Sequence, residues 1–135
     1  TEEKLKAMLS GGVDRISINP QTLNDNVLRT IGRKHSSSQT IESFELARKV
    51  GFDHINMDLI AGLPEETFES FKDSVDRLIA MSPESITVHT LSMKRSSYLT
   101  SEGRMLYKRD AEICKNMVDY SIEALQDNGY HPYYL

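Results

Sequence analysis

A single cysteine, no tryptophan and only four prolines stand among the 135 residues of this chain. One cysteine, Cys114, excludes an internal disulfide framework and any metal site built from cysteines alone within one copy. Long hydrophobic runs are missing as well: none approaches the roughly 20 residues that span a bilayer. The opening Thr1-Glu2-Glu3-Lys4 has neither the basic nor the apolar region of a secretory signal. Nor is there a basic excess, because 16 Lys and Arg stand against 20 Asp and Glu for a formal net charge of −4. A nucleic-acid binder would normally show a basic patch or stripe. These absences predict a cytoplasmic chain with no membrane span and no nucleic-acid partner. What is present, a hydrophobic fraction of 39% and a charged fraction of 27%, is the composition of an ordered chain of one domain or of a piece of a larger one.

Periodicity supplies the organisation. Thr1 to Leu9 reads as a helix stopped by Gly11-Gly12, and Arg15 to Asn19 alternates as a strand that ends at Pro20. A short helix is expected over Asn24 to Ile31. Ser38 is the expected cap of a longer helix that runs to Val50 and stops at Gly51. His54 to Ile60 follows as a strand, closed by Gly62-Leu63-Pro64. Thr67 then caps a helix whose Phe68, Phe71, Val75, Leu78 and Ile79 form one apolar stripe, with Glu65, Glu66 and Glu69 near its positive end. A strand over Ser85 to Leu91, a polar loop over Lys94 to Gly103, a helix over Leu106 to Gln126 and a final strand from Tyr130 to Leu135 complete the pattern. Strands alternating with helices predict an α/β fold with parallel neighbours and right-handed crossovers. An open flavodoxin-like sheet and an arc of a (β/α) barrel both satisfy that order.

The two parities of each strand favour the arc. Ile16 and Ile18, Ile55, Met57 and Leu59, and Ile86 and Val88 fall on one parity, whereas Ser17 and Asn19, Asn56 and Asp58, and Thr87 and His89 fall on the other. A doubly wound sheet is covered on both faces, so its strands should be apolar throughout. An arc with helices outside and a wet interior predicts the alternation instead. Asp58 facing inward requires hydrogen-bond partners or a ligand, because an unpaired buried charge is very costly. Asn19, Asp58 and Leu91-Ser92 all lie at carboxyl ends of strands, where α/β folds gather their ligands. An arc also has two open edges, which predicts either a fragment of a larger barrel or half of an intermolecular assembly, with the fragment favoured.

Several segments resemble one family: Gly12-Val13-Asp14-Arg15-Ile16-Ser17-Ile18, Pro20-Gln21-Thr22-Leu23-Asn24, Ile31-Gly32-Arg33-Lys34-His35, and Asn56-Met57-Asp58-Leu59-Ile60-Ala61-Gly62-Leu63-Pro64 with Glu66-Thr67. The family is the oxygen-independent coproporphyrinogen-III oxidases (coproporphyrinogen dehydrogenases) among the radical S-adenosylmethionine (SAM) enzymes. The Asp-Leu-Ile-x-Gly-Leu-Pro block is the most specific part. Thr87-Val88-His89-Thr90-Leu91-Ser92 is similar to the Gram-positive-type branch.

The resemblance implies a partial TIM-type (β/α)6 barrel, with residues 1–135 as its C-terminal part and the N-terminal half of the same barrel as a partner. It implies SAM contacts at Gln21, Arg33, Asp58 and Ser92, with Arg33 pairing the SAM carboxylate. It also implies a parent oxidoreductase of haem biosynthesis. There a [4Fe–4S] cluster, fed by an electron donor, cleaves SAM to a radical that takes hydrogen from coproporphyrinogen III propionates. Oxidative decarboxylation then gives protoporphyrinogen IX. The family's Cys-x3-Cys-x2-Cys loop is not in these residues, so no cluster ligand and no catalytic residue is expected here and the chain alone is expected to be inactive. The SAM-contacting Glu that the family places just before the first helix is likewise outside the chain, and Asn19-Pro20-Gln21 stands where the family has Gly-Val/Ala-Gln. Two alternatives remain. One is a haem-binding chaperone of the same superfamily, with His35, His89 or Met93 as axial ligands. The other is a free-standing α/β binding domain with a sheet covered on both faces.

Overall fold

The computed structural model describes residues 2–90 and 101–131, with side chains placed outside 101–108. Helix α1 (Glu2–Ser10) leads into β1 (Arg15–Gln21), α2 (Asp25–Thr30), α3 (Ser37–Val50), β2 (His54–Ala61), α4 (Phe68–Met81), β3 (Ser85–Thr90) and α5 (Ser101–Asp127). All three strands are parallel and lie in the order β1-β2-β3. Crossovers that always step in the same direction put their helices on one face of the sheet. A doubly wound sheet reverses direction at a switch point, and the described strands show none.

Side chains agree with that topology. Ile55, Met57, Leu59 and Ala61 are fully buried against Phe44, Ala47, Phe71, Val75, Leu78 and Met117 from α3, α4 and α5, with Ile16, Ile18, Ile86 and Val88 packed alongside. Cys114 belongs to this core, as its place on the apolar stripe of α5 implies. The other parity stays open, with Ser17, Asn19 and His89 exposed and Asn56, Asp58 and Thr87 half-buried. The chain is therefore α/β, an arc of parallel β/α units with a polar face that the described helices leave open, and the two-sided binding domain does not fit it.

Two boundaries differ from expectation for a local reason, and a third differs as well. β1 passes through Pro20 to Gln21 because its pairing with β2 slips between Ile18 and Gln21. One extra residue makes a bulge there, and a bulge tolerates a proline's missing N–H. The cap of α3 is Ser36 and not Ser38: Ser36 Oγ accepts from Gln39 N, and the Gln39 side chain accepts from Ser36 N. A Ser-x-x-Gln capping box outweighs the two serines that follow it. Helix α5 begins at Ser101, ahead of the expected Leu106. Of the expected last strand, residues 130 and 131 carry no regular structure and 132–135 lie outside the described residues. Leu91, Ser92 and Met93 also lie outside them.

At the amino ends of the strands the polar groups close on backbone. Glu84 accepts from Ile55 N at 2.8 Å and from Arg48 Nη2 at 2.6 Å. Arg48 also donates to the carbonyls of Phe52 and Ser82, each at 3.1 Å, and Tyr130 donates to Pro83 O at 2.6 Å. Partial burial pushes the Glu84 carboxyl up, but the Arg48 hydrogen bond, the Ile55 amide and the Arg48 charge outweigh it and hold the group below the usual glutamate range.

Candidate functional site

Most residues singled out from the sequence meet at the carboxyl ends of β1 and β2. Gln21 closes β1 with φ 65, the left-handed region, as the strand leaves its bulge. Arg33 is delivered by the end of α2: Gly32, at φ 79, donates to Arg29 O at 3.1 Å and Arg33 N donates to Leu28 O at 2.9 Å. This Schellman turn needs a residue that accepts positive φ, which glycine supplies. It reverses the chain so that Arg33 Nε donates to Gln21 Oε1 at 2.8 Å. The short α2 is held by its cap Asn24, whose Oδ1 accepts from Asn26 N and Val27 N, so helix capping does not occupy Gln21. Asp25 ties the far side of the turn by accepting from Ser37 N at 2.8 Å, and that backbone hydrogen bond holds its carboxyl below the usual aspartate range. His35 is half-buried in the same turn, with Nε2 at 3.3 Å from Pro20 O.

Asp58 sits on the polar parity of β2 with its side chain 20% exposed. Its Oδ1 accepts from Asn56 Nδ2 at 2.6 Å, and its Oδ2 lies 3.8 Å from His89 Nε2 on β3. Asn56 spans all three strands. Its Nδ2 also donates to Ser17 Oγ at 3.1 Å, and its Oδ1 accepts from Ser85 Oγ at 2.7 Å and Thr87 Oγ1 at 3.0 Å. Every valence of that amide is therefore used within the protein. Asn56 is a structural tie, whereas Asp58 and His89 retain open capacity. No hydrogen bond joins the Asp58–His89 pair to the Gln21–Arg33 pair among the described residues. The two share the strand ends, since Gln21 pairs in register with Leu59, next to Asp58. Ser92 lies outside the described residues.

Glu66 was expected to sit simply at the positive end of α4. It is instead 7% exposed, packed between the exit of β1 and the first turns of α4. Its Oε2 accepts from Thr22 Oγ1 at 2.6 Å and from Ser70 Oγ at 2.8 Å, while Oε1 is buried without a partner among the described residues. Burial pushes its carboxyl above the usual glutamate range, against the two hydroxyl hydrogen bonds that pull it down. One signal could have found it: Glu66, Ser70 and Ser74 recur every four residues, a polar row beside the apolar stripe of α4. Gly62, at φ 89, and the Glu66 N to Leu63 O hydrogen bond of 3.2 Å make Gly62-Leu63-Pro64 a structural turn that aims Glu66 inward.

The donor set suits SAM better than it suits a cluster. Arg33 is exposed and, among the described residues, spends only Nε, which leaves its Nη groups for a carboxylate. Asp58 Oδ2 faces the open side and can accept from a hydroxyl or an amine. Iron–sulfur clusters are held by several thiolates. The one thiol here, Cys114, is 8% exposed in the core, where burial pushes its pKa up. Among the described residues no group of three or more His, Cys, Asp and Glu is arranged to hold a metal ion, and no helix is long and apolar enough to cross a membrane.

The Radical SAM superfamily model matches residues 1–78. The chain is 42% identical over its whole length to 27% of the oxygen-independent coproporphyrinogen-III oxidase-like protein HemZ of Bacillus subtilis. It is 32% identical, over 97% of the chain and 35% of that protein, to the heme chaperone HemW of the same organism. Among solved structures, the coproporphyrinogen III oxidase HemN from Escherichia coli, a radical SAM enzyme, superposes with a TM-score of 0.77 at 25% identity, covering 97% of this chain and 30% of that one. The chain thus spans about a third or less of the length of these relatives.

Proposed function

The chain belongs to the radical SAM superfamily, and from that premise we propose that it forms the C-terminal part of a radical SAM barrel domain in an oxidoreductase of haem biosynthesis. The reaction is the oxidative decarboxylation of coproporphyrinogen III to protoporphyrinogen IX. The Gln21–Arg33 contact of 2.8 Å carries the reading, because it presents a guanidinium fork beside the strand ends where a carboxylate ligand would dock. When bound, SAM supplies the hydrogen-abstracting chemistry. The protein's own part is to bind and orient: Arg33 pairs the amino-acid carboxylate, Gln21 holds the guanidinium plane, Asp58 accepts from a hydroxyl or amine, and the resemblance assigns Ser92 to the adenine. The N-terminal half of the barrel supplies the cluster ligands, so this chain by itself holds no cluster and is inactive.

The test is S-adenosylhomocysteine binding to the full-length protein that contains this chain. Arg33→Ala weakens it about tenfold or more, the scale of one lost charge-assisted carboxylate contact. Unchanged affinity in both Arg33→Ala and Asp58→Ala would remove the SAM cleft from these residues. A second reading, a haem-binding chaperone, draws on the 32% identity to heme chaperone HemW and on the exposed His89. Haem titration separates the two: a sharp Soret band abolished by His89→Ala favours the chaperone.

A further inference from the structure

The segment that leaves β1 is fastened to Glu66 and to the side chains of Ser70 and Ser74 on α4. Thr22 Oγ1 donates to Glu66 Oε2 at 2.6 Å and accepts from Asn24 N at 3.1 Å. Ser74 Oγ, 3.5 Å from Thr22 Oγ1, accepts from Leu23 N at 3.0 Å. Ser70 Oγ donates to Glu66 Oε2 and accepts from Asn24 Nδ2 at 2.9 Å. Thr22 and Ser74 are each 1% exposed, so the Thr22–Glu66 and Leu23–Ser74 contacts are buried, while Asn24 and Ser70 at the edge of the network are half-buried. It begins at the residue after Gln21, whose φ of 65 is a conformation that a non-glycine residue keeps only where its surroundings over-determine it. Among the described residues Glu66 Oε1 is buried without a partner.

We infer that Glu66 is a positioning residue, whose carboxyl holds Thr22 and through it the left-handed pose in which Gln21 meets Arg33. The inference rests on the proposed SAM contact of Gln21 and Arg33 and adds the residue that sets their geometry. Glu66 touches no ligand in this account and acts only through Gln21. A double-mutant cycle isolates that route.

The measurement is S-adenosylhomocysteine affinity by calorimetry on the full-length protein, with far-UV circular dichroism to check folding. Glu66→Ala weakens binding about fivefold in the wild-type background and by less than twofold in a Gln21→Ala background. Thr22→Val behaves like Glu66→Ala, whereas Thr22→Ser, which keeps the hydroxyl, binds as wild type. If Glu66→Ala fails to fold, Thr22→Val and Thr22→Ser carry the same cycle. Wild-type affinity in Glu66→Ala and Thr22→Val, with Gln21→Ala and Arg33→Ala weakened, overturns the inference and leaves the SAM reading standing. An equal loss in the Gln21→Ala background also overturns it. Wild-type affinity in Gln21→Ala and Arg33→Ala removes the SAM reading and the inference together.

Discussion

The two ends of the same three strands are built on opposite plans. At the amino end, Glu84, Arg48 and Tyr130 spend their polar atoms on the backbone of Ile55, Phe52, Ser82 and Pro83. At the carboxyl end, Gln21, Arg33, Asp58 and His89 bond one side chain to another and keep groups turned to the open side. One end closes the fold, and the other leaves hydrogen-bonding capacity unspent. Barrel-type folds divide stability and chemistry in this sense, and the difference here can be traced to individual atoms. Spare capacity at a strand end marks a site more reliably than polarity does, because Asn56 is polar, central and fully used.

That division can be broken by substitution. The largest effect is expected at the amino end: Glu84→Ala strands the Ile55 amide and frees Arg48, which costs about 2 kcal/mol of stability, measured by urea unfolding. Arg33→Ala, at the opposite end, should leave stability within about 0.5 kcal/mol. Comparable losses from both would erase the contrast. Asn56→Ala on the polar face should cost about 1–2 kcal/mol, since it frees partners on all three strands that water can reach. Ser36→Ala should cost about 1 kcal/mol and Ser38→Ala almost nothing. The reverse order would restore the cap expected from the serine run.

The smallest effect is a pair of opposite pH slopes. Glu84 is held below its unfolded pKa, so its contribution is present above about pH 4.5 and lost as pH falls. Glu66 is pushed above its unfolded pKa, so its contribution is present below about pH 4.5 and lost as pH rises through its folded value. Urea midpoints of Glu84→Gln and Glu66→Gln across pH 4 to 7 should move oppositely against wild type. The wild-type advantage over Glu84→Gln shrinks on acidification, and Glu66→Gln gains on wild type as pH climbs. Parallel curves would contradict the assignment of the two carboxyls.

Much of this is legible in the chain itself. Period-two alternation in Ile55, Asn56, Met57 and Asp58 is enough to separate the packed face from the open one, because burial on a single face writes that pattern. The spacing from Gln21 to Arg33 follows a resemblance, but their contact depends on the Gly32 turn, which a local pattern implies only loosely. Glu66 is only faintly legible as a buried group, through the four-residue row it forms with Ser70 and Ser74. Its neighbours Glu65 and Glu69 suggest a solvated acidic helix start, and the long-range approach of Thr22 converts one of the three into an interior residue. The bulge at Pro20 is hidden for the same reason, since register is a property of two strands.

The most direct test of the central claim, that ligand binding belongs to the carboxyl end of the sheet, is amide hydrogen exchange of the full-length protein with and without SAM. Added protection should appear in peptides covering residues 19–35 and 58–66, with none in α1 or around Ser82 to Glu84. Protection at the amino end, or none in residues 19–35, would contradict the account.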